Sequence, residues 1–355
     1  MIARIRYPPP PQGSFENNLA RFIFNKETST LTGDRCFCRS NLMTSFSLAQ
    51  QLRLVALTAG TLLALAHQFT KVPPFVDYAF FVVLVVFIGI PHGALDHLVD
   101  EQTLKARNRS YSLRGFLTSY LLQMAAYALL WMVFPSLSLL LFLVFSAWHF
   151  GESDLHPAPR HLLWSAVQFT LGTAVLFFIL LREPGLTGDL IYRITRENDL
   201  ARMWWAAAAQ RATPLLAILG AAILAATVMA QRQEPVKLQA TRWAPFFAVL
   251  LVVSFLPLLP AFALYFGGWH ALNTFQHMRD YLAAQHTSIN LWKKAMPFTI
   301  LAVSFLTLSG LLWRNIYPDV DPLPILFIFI SIITFPHLLV IHNMLRLQAL
   351  ARSRT

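Results

Sequence analysis

Residues 75–99 read FVDYAFFVVLVVFIGIPHGALDHLV, with Asp77 the only charged residue ahead of Asp96. A helix needs about 20 mostly apolar residues to cross a bilayer, and this stretch supplies them before it ends in Pro91-His92-Gly93-Ala94-Leu95-Asp96-His97. Comparable runs recur near 51–69, 113–134, 136–152, 161–182, 212–230, 243–257, 261–284, 295–314 and 323–345. The expected fold is therefore all-α, a polytopic integral membrane bundle of eight to ten transmembrane helices. The run at 243–257, next to Pro257-Leu258-Leu259-Pro260, is short enough to re-enter the membrane instead of crossing it.

Composition agrees with this reading. Of 355 residues, 56% are hydrophobic and 13% charged, where a soluble domain carries about 25% charged residues. That excludes a soluble enzyme, a disordered chain and a disulfide-rich secreted domain. The net charge of +11 lies mainly in segments flanking the apolar runs and forms no basic stripe, so no nucleic-acid partner is expected. With ten spans, fourteen Lys and Arg fall on one side and seven on the other, five of those seven in the long 182–211 loop. The positive-inside rule then puts both termini in the cytoplasm and the protein in the cell's inner (plasma) membrane. Trp204-Trp205 in the outer loop predicts a short helix lying at the interface.

Residues 1–47 contain Pro8 to Pro11 and both cysteines, Cys36 and Cys38, and no spanning run. They read as a disordered cytoplasmic tail, with 48–355 a single transmembrane domain and Met43 an alternative start. Any metal site in that domain must use His or carboxylate.

The histidines gather at the ends of four runs: His92 and His97, His149 and His156, His270 and His277, His337 and His342. The even-numbered spans bring all of these to one depth. Ionisable groups inside a membrane are costly and mark functional sites, whereas His67, His156, His161 and His286 sit near span ends as interfacial residues. His92, His149, His270, His277 and His337 are the candidate metal ligands. Neutral imidazoles without thiolate suit iron, zinc or copper, and in an apolar interior they suit Fe(II) with open positions for O2 and an oily substrate. His92 and Asp96, four apart on one helix face, predict that Asp96 orients His92. Pro91 cannot donate to the Phe87 carbonyl, which loosens the helix at His92, and Pro336-His337 repeats the device. His270 and His277 are seven apart, so two imidazoles only just reach one ion from there.

Other chemistries lack their residues. The lysines, at 26, 71, 105, 237, 293 and 294, include none mid-span for a retinal Schiff base, and no His-x-x-His-His box, HExxH, GxSxG or P-loop occurs. Paired histidines on two helices would also suit a bis-haem protein.

The motifs IPHGALDH (90–97), WHFGESD (148–154), GGWH (267–270) and FPHLL (335–339) resemble the Brp/Blh family of bacterial and archaeal β-carotene 15,15′-dioxygenases, over roughly 75–345. The resemblance implies membrane-embedded, iron-dependent cleavage of β-carotene by O2 at its central double bond, giving two all-trans-retinal that feed a rhodopsin. It also implies iron ligation by His92, His149 and His270. The family commonly has a second histidine four residues after the last of these, where this chain has Thr274. His277 or His337 then takes the fourth place, or the site has three histidines. A divergent polyene oxygenase, or a non-catalytic carotenoid or retinal carrier that aids rhodopsin assembly, is the alternative.

Overall fold

A computed structural model describes residues 48–159, 161–236, 240–283, 291–316 and 323–352. The expectations for the tail, both cysteines and His286 lie outside the described residues. Among the described residues the elements are all helical, as the apolar runs require. The chain forms α1 (Leu48–Phe69), α2 (Pro74–Ala106), α3 (Leu113–Val133), α4 (Pro135–Asp154) and α5 (Leu162–Leu180). Two short helices follow, α6 (Pro184–Ile194) and α7 (Asp199–Gln210), then α8 (Ala212–Gln233) and α9 (Ala240–Val253). The helical path over 258–283 is α10, and α11 (Leu291–Ile316) and α12 (Leu323–Arg352) complete the bundle.

Eight of these helices are long and apolar enough to cross a membrane: α1 to α5, α8, α11 and α12. The runs at 243–257 and 261–284 are built differently from simple spans. The first is a 14-residue helix. The second lies in α10, which is π-helical from Leu264 to Ala271 and continues as the more polar Leu272–Ala283. A helix that is apolar all round belongs in an interior, and α10 is buried continuously from Leu258 to Tyr265. It forms the centre of the bundle, packed by α1, α2, α4 and α9.

Helix starts follow the sequence. Pro74, Pro135 and Pro184 stand in first turns, where the missing N–H costs nothing. The Asn198 side chain caps α7 by accepting from the Ala201 N–H at 3.1 Å. The pair α6–α7 is tied by the Trp205 indole N–H donating to the Pro184 carbonyl at 2.8 Å. Trp204 is exposed beside buried Trp205, the amphipathic arrangement expected of an interfacial helix.

The tightest joint lies between α4 and α5. A Cβ on Gly151 would sit 1.7 Å from the Gln168 carbonyl oxygen, and one on Gly172 would sit 1.8 Å from that of Ala147. Small residues let membrane helices approach backbone to backbone where lipid offers no hydrophobic drive. Neither site can give way, because the obstacle is main chain. Gly172→Ala should therefore cost more than the ~1–3 kcal/mol of ordinary overpacking and lower the yield of folded protein in detergent. Gly220→Ala on α8, with nothing within 4 Å of the added carbon, should be neutral or slightly stabilising. Equal thermal stability of the two variants would refute this account of the joint.

Candidate functional site

The site begins with a defect in α2. Because Pro91 lacks an N–H, the helix widens into a π-helical turn over Val85–Gly89 before resuming at Ile90–Gly93. π-bulges of this kind are frequent at functional sites. His92 lies one turn beyond, and its Nδ1–H donates to the Gly89 carbonyl. In α10 the second π-helical segment carries His270. The two segments lie against each other, closely enough that a Cβ on Gly267 would meet the Leu84 carbonyl at 2.6 Å. α4 contributes His149 and α12 contributes His337, just after Pro336 inside the helix.

These four imidazoles converge. Ring centroids are 4.8 Å apart for His92 and His337, 4.7 Å for His149 and His270, 5.1 Å for His149 and His337, and 6.0 Å for His92 and His270. The Nε2 atoms of His149 and His270 are 3.1 Å apart, sharing one hydrogen bond. All four rings are at most 6% exposed. Phe150 packs on His270 at 4.6 Å and Phe266 on His92 at 5.9 Å, closing the cluster to water.

Asp96 is not where the helix-face argument puts it. The helix breaks at Ala94-Leu95 and restarts at Asp96, so His92 and Asp96 do not share a regular four-residue face. Asp96 serves His337 instead, accepting the Nδ1–H at 2.9 and 3.0 Å. The Tyr120 hydroxyl of α3 donates to the same carboxylate at 3.0 Å. His277 also turns away from the cluster. The helix is regular again from Leu272, so His277 lies about 10 Å farther along α10 than His270. Its Nε2–H donates to the Ser153 carbonyl at 3.2 Å, and its ring lies 4.9 Å from that of His156. Thr274 is fully buried and bonds the Ser153 hydroxyl at 2.8 Å. His342 donates to Glu152 at 2.8 Å, and the His97 ring packs tilted against Phe298 at 4.5 Å. Of the five candidate ligands, then, four come together and His277 stands apart.

Four supporting residues, Asp154, Tyr265, Trp269 and Tyr120, escaped the sequence reading. Asp154 accepts from the Tyr265 hydroxyl at 2.6 Å and the Trp269 indole at 3.1 Å, pinning the π segment of α10 to the end of α4. Their signal lay in the quoted motifs, because WHFGESD supplies the acceptor and GGWH one donor. Tyr120 carries no such signal in an otherwise featureless apolar helix.

His92, His149 and His337 line one end of a cavity of about 650 Å³ whose walls are almost wholly carbon, among them Phe116, Phe262, Phe298 and Phe327. The far end is covered by α6 and α7 through Thr187, Ile194 and Trp205. This volume lies within the ordinary range of small-molecule sites.

Residues 83–345 match the family model described as beta-carotene 15,15′-dioxygenase. The chain belongs to that family. A protein of an uncultured marine bacterium named beta-carotene 15,15′-dioxygenase is 38% identical over 104 residues, covering 29% of this chain and 38% of that relative. No solved structure matches.

Iron is the cofactor the family resemblance implies, and the donor set can be tested against it. As they stand, no three His, Cys, Asp or Glu side chains among the described residues are disposed to hold an ion. The chemistry of the four rings nevertheless fits one. His92 and His337 give their Nδ1 protons to fixed acceptors, so each Nε2 carries a lone pair, and both Nε2 atoms are buried with no hydrogen-bond partner. His149 and His270 leave their Nδ1 atoms in the same condition. A cation taken up between them would replace the Nε2–Nε2 hydrogen bond and leave both protons on Nδ1. A buried nitrogen without a partner costs ~1–3 kcal/mol, and a divalent cation would remove that cost at the Nε2 atoms of His92 and His337. Binding of Fe(II), titrated anaerobically into metal-stripped protein, should reach one equivalent. Asp96→Asn should weaken it about 10–100-fold, as loss of a partner behind a ligand does. Unchanged affinity in that variant would exclude His337 as a ligand.

Proposed function

We propose that this protein is a membrane carotenoid dioxygenase that cleaves β-carotene at its central 15,15′ double bond with O2, giving two all-trans-retinal. The observation that carries the reading is the convergence of four buried imidazoles beside an apolar cavity that three of them line, in a chain of this family. The reaction balances without further reagents: the C=C bond breaks, and each carbon receives one oxygen atom of O2.

His92, His149, His270 and His337 would hold the metal. When bound, Fe(II) supplies the means to combine O2 with a closed-shell polyene. The protein's own groups do the rest. The Gly89 carbonyl and the Asp96 carboxylate fix two ring orientations, and the Asp96 charge offsets part of the cation's. Phe150 and Phe266 exclude water from the rings. The carbon-lined cavity holds a long apolar substrate in register, with no base needed because no proton moves. Production of retinal links the protein functionally to a rhodopsin. The excess of Lys and Arg on one side supports cytoplasmic termini in the plasma membrane.

Expression in a bacterial host that accumulates β-carotene tests the reading. Cells with the unaltered protein should bleach and yield retinal on extraction, and His149→Ala cells should stay orange with the protein still in the membrane. Retinal from His149→Ala at the unaltered level would remove the histidine cluster from the chemistry. Orange cells from both, at equal membrane content, would refute central cleavage of β-carotene.

A further inference from the structure

The wall of the cavity is uneven. On most sides it is made by helices that pack along one another, such as α12 against α3 and α4. Between α3 and α11 it is not, because neither helix packs along the other. Each instead turns one stripe toward the cavity: Leu117, Tyr120, Leu121 and Met124 on α3, and Phe298, Leu301, Ala302 and Phe305 on α11. Both stripes follow the i, i+3, i+4, i+7 spacing of a single helix face.

Three of these residues face two ways. Leu121, Leu301 and Phe305 line the cavity, yet they are 60%, 66% and 56% exposed on the outside of the bundle. A side chain can do both only where the cavity opens. α11 is also lightly held. Its first turns bury Leu291 and Ala295 and meet α2 beside His92, while only 11% of its apolar window is buried. Farther along, Phe305 stacks on Phe329 of α12 at 5.7 Å. Elsewhere the cavity is lined by the histidines and by Thr187, Ile194 and Trp205 of α6–α7.

We propose that the slot between α3 and α11 is a lateral portal through which a long apolar polyene passes directly from the bilayer core to the histidines. This rests on the carotenoid reading above and adds its route. The occupant follows from the lining, since a solute arriving from water would meet exposed leucine and phenylalanine at mid-membrane with no polar group to receive it. The portal also reaches the site, because Tyr120 on its rim is the residue that bonds Asp96 behind His337.

The test places bulk in the slot. Leu301→Trp should raise the KM for β-carotene presented in the same membrane about tenfold, with kcat little changed, the pattern expected when access or uniform binding is impaired. Phe305→Ala, which widens the slot, should lower it. Ile300→Trp, on the opposite, exposed face of α11 and outside the cavity lining, is the control and should match the unaltered protein. Uptake is read apart from cleavage as the carotenoid retained by purified His149→Ala protein, with and without Leu301→Trp. Less pigment in the double variant supports the portal even if the unaltered chain proves to make no retinal, an outcome that would count against the cleavage reading alone. An unchanged KM together with equal retention would mean that the slot holds only lipid acyl chains, and would overturn the portal. Equal impairment by Leu301→Trp and Ile300→Trp would overturn it as well.

Discussion

A neutral imidazole buried in an apolar bundle has one proton to donate and one lone pair to offer, and everything at this site depends on where the proton goes. In His92 it goes to a backbone carbonyl of its own helix, and in His337 to a carboxylate on another. Each choice fixes the tautomer and turns the lone pair of Nε2 inward. Had either ring been free to donate from Nε2, it could have satisfied itself against a neighbouring imidazole, as His149 and His270 do with each other. The two anchors thus convert what would be a closed hydrogen-bonded cluster into a set of donors facing one volume.

The anchors depend in turn on departures from regular helix. Pro91 removes one hydrogen bond from α2, and the π-helical turn that accommodates it sets the Gly89 carbonyl beside His92. The π segment of α10 packs against that same region, with Gly267 allowing the close approach and Asp154 holding Tyr265 and Trp269 from the far side. In a soluble protein, water could satisfy carbonyls loosened in this way. Within a bilayer the partners must come from the protein, so both irregular segments lie in the most deeply buried part of the bundle.

The spanning helices and the gathering of histidines were legible in the sequence because each rests on a property that survives without three-dimensional detail. An apolar run of about 20 residues has one stable solution in lipid, and a histidine there must be compensated wherever it points. Pairings that depend on phase were not legible. The four-residue spacing of His92 and Asp96 assumed a continuous helix, and the break at Ala94-Leu95 gave Asp96 to His337 instead. The seven-residue spacing of His270 and His277 leaves about 10 Å between them along the helix, and His277 finds the Ser153 carbonyl there instead. Tyr120 was invisible because nothing local distinguishes a tyrosine that bonds a distant carboxylate from one that faces lipid.

His337 also explains how the cluster has four imidazoles with Thr274 in the position where a nearby histidine could have stood. A histidine four residues after His270 would come from α10 itself. His337 comes from α12 and approaches from the side of α3 and the cavity. Its anchoring carboxylate belongs to α2, and the hydroxyl that steadies the carboxylate belongs to α3. Three helices that wall the apolar cavity therefore fix one ring of the cluster, whereas Thr274 is engaged in a buried hydroxyl pair with Ser153 that holds α10 to α4. Drawing the fourth imidazole from the cavity wall couples the shape of the apolar chamber to the disposition of the imidazoles. Displacement of α3 or α12 by a bulky occupant would be felt at His337 through Asp96 and Tyr120, whereas His270, outside the cavity lining, is packed by Phe150 and carried on the segment that Asp154 pins.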